Sequence, residues 1–380
     1  MAKLEQLIQE KCPNGVEYRK LKDIAEIGTG SSNGNEAIDN GKYPFFIRSQ
    51  IVKAKNDYEY DEEAIIIPGE GGIGEIFHYI NGKYAIHQRV YRIHFTSKDI
   101  DTKFAFHYMK GNFKSFIVKK AVNATVSSIR KPMIEDFELP VPPLEVQREI
   151  VEVLDKFTLL TAELTAELTA RKEQFNFYKE QLLDEDCEVK KLSEVATVTD
   201  SLHATPKYVD NGYSMIRVAD VKEGYIETNK TLKVDENTYK NFIKRYKPKY
   251  NDIIISRVGS FGNFSLVPNE DVCLGQNVAL IHPHINNKYL YHFLKSNYVM
   301  EYVNRNAHGG GYKNIGIKDI LDIPIKVPTN EKQQEIADIL DKYDALCNDI
   351  SSGLPAEIET RQKQYEYYRD KLLTFKRMEA

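Results

Sequence analysis

Residues 171–183 read RKEQFNFYKEQLL and residues 361–373 read RQKQYEYYRDKLL, two copies of one segment at an offset of 190. Upstream, 147–157 (QREIVEVLDKF) returns as 333–343 (QQEIADILDKY) at an offset of 186, so the second copy carries a four-residue insertion. A repeat of this length sets the architecture before any single element is considered. Working outward, Lys20-Leu21 with Ile24-Ala25 answers Lys191-Leu192 with Val195-Ala196, and Ile47-Arg48 answers Ile216-Arg217. Residues 65–94 then align without gaps to 253–282, pairing Gly71 with Gly259, Gly74 with Gly262 and Gln88 with Gln276. The chain is a tandem duplication in which variable and shared segments alternate.

The shared segments read as helices. From Ile150 the apolar or long side chains fall at Leu154, Phe157, Thr161, Leu164, Leu168, Arg171, Phe175, Tyr178 and Leu182. This 4-3-4-3 spacing is the heptad seam of a coiled coil, narrower than the stripe of a helix packed on a sheet. Prolines at 140, 142 and 143 favour extended backbone before the helix and suit its first turn. The second copy enters through 323–329 and runs Ile336, Leu340, Tyr343, Cys347, Ile350, Leu354, Ile358, Arg361, Tyr365, Tyr368 and Leu372. Its insertion is a stutter, and Gly353 and Pro355 there predict a kink or break. A helix of about 40 residues is ~60 Å long, more than one small domain needs, so it reads as a spacer. The other reading places each helix in the core of its own domain.

The variable regions carry short β-branched or aromatic runs, at 43–47, 64–67, 75–80 and 84–95, with turns predicted at Asn81-Gly82 and the glycine-rich stretches. Spacing turns helical over 104–120 and 289–304. Gly69-x-Gly71-x-x-Gly74 fits a dinucleotide fingerprint in form only. No helix pattern follows it, and Arg257 replaces the first glycine in the second copy, so a tight turn is the better reading. There is no phosphate loop, no amino-methyltransferase tetrapeptide, no HExxH and no legible nucleophile with its base. His282-Pro-His284 reads as a strand-end pair sooner than a metal site. Cys12, Cys187, Cys273 and Cys347 are dispersed, which suggests a reduced cytoplasm. Glu5 comes too early for a signal peptide, and the aliphatic runs are too short for a membrane span.

The 380 residues, enough for two or three domains, carry a net charge of −4, which argues against coating nucleic acid by bulk charge. The charge is unevenly spread: +1 over 1–143, −6 over 144–186, +3 over 187–322 and −2 over 323–380. Lys114, Lys119, Lys120, Arg130 and Lys131 span a stretch without acid, and Lys240, Lys244, Arg245, Lys247 and Lys249 form a second cluster. Interleaved with Phe113, Phe116, Tyr239, Phe242 and Tyr246, they fit phosphate-positioning surfaces or solvated basic faces. Arg48 and Arg217, Gln88 and Gln276, with neighbours Arg89, Arg257 and Asn277, suit bidentate contacts with base edges. Buried hydrogen bonding that holds the fold is the equal alternative for the duplicated ones.

As a set, the two proline-led entries (LPVPPLEVQREIVEVLDKF and IPIKVPTNEKQQEIADILDKY), the endings YKEQLL and YRDKLL, and the strands IIIPGEGGIG and IIISRVGSFG resemble the specificity subunit of type I DNA restriction-modification systems. The resemblance covers essentially the whole chain. It implies an α+β fold with two strand-rich target recognition domains, 1–143 and 184–326. These would be separated by two long helices, 144–183 and 327–380, packed as an antiparallel coiled coil with pseudo-twofold repeat. It implies a non-catalytic reader of a bipartite, asymmetric double-stranded DNA target, its half-sites about one helical turn or ~34 Å apart. Methyltransferase (modification) and restriction (translocase and nuclease) subunits would dock on it and supply S-adenosylmethionine, ATP and magnesium chemistry. A coiled-coil adaptor that binds proteins through its duplicated domains is the rival, as is an enzyme whose site is not legible.

Overall fold

A computed structural model of the chain describes residues 2–120, 128–202, 204–309, 313–348 and 353–379. Its elements begin with α1 (Ala2–Lys11), β1 (Glu17–Lys20), α2 (Leu21–Ile24), β2 (Ala25–Thr29), β3 (Tyr43–Phe46), β4 (Lys53–Lys55), β5 (Tyr60–Pro68), β6 (His78–Ile86) and β7 (Val90–Phe95). Next come α3 (Thr102–Lys120), α4 (Lys131–Glu135), β8 (Glu138–Val141) and the long α5 (Leu144–Leu183). The second half holds β9 (Val189–Lys191), α6 (Leu192–Val195), β10 (Ala196–Asp200), β11 (Tyr213–Ile216), β12 (Leu232–Val234), α7 (Glu236–Phe242) and β13 (Ile253–Ser256). It continues with β14 (Phe264–Leu266), β15 (Val272–Leu274), β16 (Val278–Pro283), α8 (Asn287–Leu294), α9 (Asn297–Asn306), α10 (Ile317–Leu321) and β17 (Pro324–Lys326). The chain closes with α11 (Asn330–Asn348) and α12 (Leu354–Leu372). Two units form: Met1–Thr165 with Glu357–Ala380, and Ala166–Ala356.

Unit 1 is built on a sheet ordered β2-β7-β5-β6-β3-β4. The run Ala64-Ile65-Ile66-Ile67 makes β5 its centre by feeding apolar side chains to both faces. Ile65 and Ile67 pack with Ala105, Met109, Phe113 and Ile117, one stripe of α3 at four-residue spacing. Ala64 and Ile66 pack on the other side with Phe46, Tyr84, Ile86 and Val90.

Asn81-Gly82 is not the predicted turn. It lies inside β6, Asn81 opposite Glu63 and Gly82 opposite Glu62, in a ladder unbroken from Tyr60↔Tyr84 to Ile66↔His78. The hydroxyls of Tyr79 and Tyr84 donate to Glu63 and Glu62 at 2.6 and 2.8 Å, tying the strands together on either side of the dipeptide. Cross-strand pairing outweighs local turn chemistry, and Gly82 accommodates it at φ 123°. The chain turns instead at 87–89, which splits the expected run 84–95 into β6 and β7.

Unit 2 repeats this plan with a break, as sheets β10-β16-β13-β14 and β12-β11-β15. Pro268 stands where unit 1 has Ile80 and offers no N–H to a ladder, so the counterpart of β6 is cut into β14 and β15. The parallel pairs Phe45↔Ala85 and Phe46↔Ile86 nonetheless return as Met215↔Cys273 and Ile216↔Leu274. The helical stretch 289–304 divides at Ser296, whose side chain accepts from Val299 N at 3.3 Å and caps α9.

The seam residues of α5 are buried or half-buried at every expected position except Tyr178. In unit 1, Phe157 stacks on Tyr368 of α12 with ring centroids 5.3 Å apart, while Val146, Ile150 and Leu154 cluster with Leu372 and Leu373, an antiparallel pairing. In unit 2, Phe175 stacks on Tyr343 of α11 at 6.3 Å, and Cys347, a turn later on α11, joins the same cluster, against which Leu168, two turns earlier on α5, also packs, again antiparallel. The same helices also enter the domain cores: Phe175, Leu183, Ile336 and Leu340 share one cluster with Ile253, Ile281 and Phe293. The kink or break expected at Gly353 and Pro355 meets the start of a new helix: Gly353 lies in a bend and α12 begins at Leu354 with Pro355 in its first turn, while Ile350 lies outside the described residues.

Buried anchors fasten each domain to its helix twice over. Gln147 donates to Pro142 O and Asp99 O and accepts from Asp101 N, all at 2.7–2.8 Å. Gln333 repeats this with Pro328 O at 2.8 Å and Asn286 N at 3.1 Å. His107 and Lys103 meet Asp155 at 2.9 and 2.6 Å; His292 and Lys288 meet Asp341 at 2.7 and 3.3 Å. The segment after α12 closes unit 1: Val16 N donates to Lys376 O (2.8 Å), Met378 N to Val16 O (2.9 Å), and Arg377 lies over the Tyr18 ring while pairing with Glu138.

Candidate nucleic-acid interface

Four loops of unit 1, following β2, β3, β5 and β6, meet around a cleft of ≈ 320 Å³ lined by Gly34, Ile47, Arg48, Glu70, Gly71 and His87. Glycines at 71, 72 and 74 sit at φ 73°, 59° and 68°, the tight turn read from the sequence; Gly259 and Gly262 repeat it at 74° and 76°. Arg48 and Arg89 converge on one oxygen of Glu70, their Nη1 atoms 3.0 and 2.8 Å from Oε2. The hydrogen bond from Arg89, with that from Arg48, holds the Glu70 carboxyl below its ordinary range. Gln88 donates to Asn33 Oδ1 at 2.9 Å. His87 accepts the backbone N–H of Arg89 at Nδ1 (3.0 Å), and burial, then the charges of Arg48 and Arg89, lower its pKa. The ring is therefore neutral near pH 7 with its proton on Nε2. Arg130 is exposed just beyond Ile129, whose N–H donates to Gly69 O at 2.7 Å.

In unit 2 the same skeleton is filled differently. The bonds Gly69 N→Arg89 O (2.9 Å) and Ile129 N→Gly69 O return as Arg257 N→Asn277 O and Ile315 N→Arg257 O, both 2.9 Å. Arg257 is mostly buried; its guanidinium pairs with Asp200 and donates to Ile315 O at 3.3 Å. Asn277 takes φ 63°, and Gln276 donates to Thr205 Oγ1 at 3.1 Å. Arg217, next to Gly275, grips Asp220 through Nε and Nη2 at 3.1 and 3.3 Å.

The structure thus gathers Arg48, Gln88 and Arg89, with Arg130 alongside, and separately Arg217, Arg257, Gln276 and Asn277. The remaining lysines stand elsewhere: Lys119 is exposed at the end of α3, where Lys120 is tied to Asp136 at 2.7 Å. Lys244 and Arg245 are exposed after α7. Glu70, His87 and Asp220 were not singled out in the sequence, although Glu70 lies inside the quoted IIIPGEGGIG motif. His282 and His284 bond to Asp252 (2.7 Å) and Thr197 (2.9 Å). Among the described residues no cluster of metal-ligating side chains occurs, and no helix is long and apolar enough to cross a membrane.

A family model for the type I restriction modification DNA specificity domain matches the chain twice, over residues 13–173 and 184–360. The chain belongs to this specificity-subunit family. The specificity subunit of the Escherichia coli EcoR124I/EcoR124II type I restriction enzyme is 36% identical over 252 residues, 63% of this chain and 62% of that one. A Haemophilus influenzae protein assigned as a type I specificity subunit is 28% identical across 95% of this chain and 96% of its own. In fold, the chain is similar to the S subunit of a type I system from M. genitalium, with a TM-score of 0.62 at 15% identity, covering 94% and 96% of the two chains. The two family matches, 13–173 and 184–360, fall one on each copy of the duplication; the paired segments 171–183 and 361–373 lie at or beyond their ends.

Proposed function

We propose that this chain is the DNA-reading subunit of a type I restriction-modification complex, each recognition domain taking one half of a bipartite, asymmetric target. The observation that carries this is one loop skeleton built twice with different side chains. Gly69, Glu70 and Arg89 of the first copy stand where the second has Arg257, Val258 and Asn277, while the backbone bonds between them are repeated. A shared scaffold with divergent guanidinium and amide groups suits two different base sequences. Lys119, Lys120, Lys244 and Arg245 then serve as phosphate contacts at the edges. The chain performs no chemistry itself; S-adenosylmethionine, ATP and magnesium belong to the methyltransferase and restriction subunits. Phe177 and Tyr367, equivalent in the repeat, are 60% and 62% exposed on their helices and offer one aromatic docking point per unit.

The test is a map of methylated adenines in cells carrying the chain and its partner subunits. Exchanging 1–143 for the corresponding domain of a relative is expected to change one half-site and keep the other. Change in both halves, or no bipartite motif at all, rejects the proposal. A protein-binding adaptor would lack the steep loss of DNA affinity with salt that this reading requires.

A further inference from the structure

We propose that Glu70 determines specificity in the half-site read by unit 1, orienting Arg48 and Arg89 toward bases and withholding them from phosphates. This rests on the DNA-reading function proposed above. Each guanidinium commits Nη1 to Glu70 Oε2. The Nε and Nη2 edge of each is a two-donor fork, the geometry that matches O6 and N7 of guanine. One carboxylate shared by two guanidiniums reduces the local charge from two to one, and His87 beside them adds none near pH 7. The Nε and Nη2 edge could take a phosphate too, but the Glu70 carboxylate halves the charge that would draw one in and fixes the direction in which each fork points, while a guanine edge binds that fork and leaves the clasp in place.

The duplication supplies the contrast. Arg48 persists as Arg217, and there the acid comes from within its own turn, Asp220. Glu70 and Arg89 change together, to Val258 and Asn277, on an unchanged backbone frame. An ion pair kept for the fold would have been copied with the frame. A pair that changes as a pair is what recognition of a different base calls for.

The experiment uses the chain assembled with its methyltransferase subunits, as wild type, Glu70→Gln and Glu70→Asp. Methylated adenines are mapped in cells, and purified complexes are titrated with duplexes containing or lacking the wild-type motif over a range of salt. For Glu70→Gln, one half of the motif is expected to become degenerate while the other stays intact. Affinity for motif-free duplex rises, its salt slope steepens by about one, and the ratio of specific to non-specific affinity falls about tenfold. Glu70→Asp, charged but a methylene shorter, should fall between. An unchanged motif and ratio overturn the role of Glu70 and leave the DNA-reading function standing. A wild-type complex with neither bipartite motif nor salt-dependent binding overturns both. If both variants lose methylation together with the unfolding transition of unit 1, Glu70 serves the fold and the proposal is wrong.

Discussion

Asp155 bridges α3 and α5 by accepting from His107 and Lys103, and His107 reaches Tyr365 of α12 through Nδ1 at 3.0 Å. The hydrogen bond from His107, against the cost of burial and with the charge of Lys103, depresses the Asp155 pKa. At Asp341 burial opposes the same shift, yet the His292 bond and Lys288 still leave the pKa lowered. A carboxylate with a depressed folded pKa contributes stability that is complete above its unfolded value of about 3.9 and is lost as pH falls through the folded one. Asp155→Asn should therefore lower the urea midpoint of unit 1 at pH 7 and flatten its decline below about pH 4; a mutant with the wild-type acid slope would exclude this cluster as a contributor. Neither histidine was prominent in the sequence. Each stands on a helix whose pattern says only which face is buried, while the partner Asp lies about 50 residues away.

At the scale of elements, two glycines separate conformational strain from collision. Gly74 (φ 68°) has the backbone of Lys114 against it, and an added Cβ would lie 2.8 Å from Lys114 Cα. Gly82 (φ 123°) has nothing within 4 Å. Gly82→Ala should cost about 1–2 kcal/mol of backbone strain, and Gly74→Ala visibly more because α3 must shift; thermal unfolding of the two variants gives the order, and equal losses would refute it. Both glycines belong to motifs visible in the sequence, yet only one marks a turn. Period and repeat made the coiled-coil seam, α3 and the tandem plan legible, since those depend on side-chain spacing along one element. Asn81-Gly82 misled because a long ladder, anchored by Tyr79 and Tyr84, outweighs a dipeptide preference. The clasp at Glu70 was hidden for a related reason: Arg48, Glu70 and Arg89 sit on three different loops that only the sheet brings together.

For the molecule as a whole, the unit that holds the first recognition domain is discontinuous in sequence. Leu4 of α1 and Val146, Ile150 and Leu154 of α5 are covered by Leu372 and Leu373, and residues 376–378 bond to Val16. Removing 353–380 is expected to expose this cluster and raise amide hydrogen exchange in α1, β1 and the first turns of α5, while β13 and β16 of unit 2 keep their protection. Equal protection in both units of the truncated chain would refute it. The acidic net charge leaves room for all of this, because the excess of acid lies in the helical connectors, −6 over 144–186 and −2 over 323–380, while the two globular regions are net positive. The closing segment also bears on synthesis. A ribosome makes all of unit 2 before it makes the closing residues of unit 1, so the domain begun first is the last to be finished. A chain terminated within unit 2 leaves Val146, Ile150 and Leu154 at the start of α5 without Leu372 and Leu373, an apolar surface of the kind that partly made chains expose.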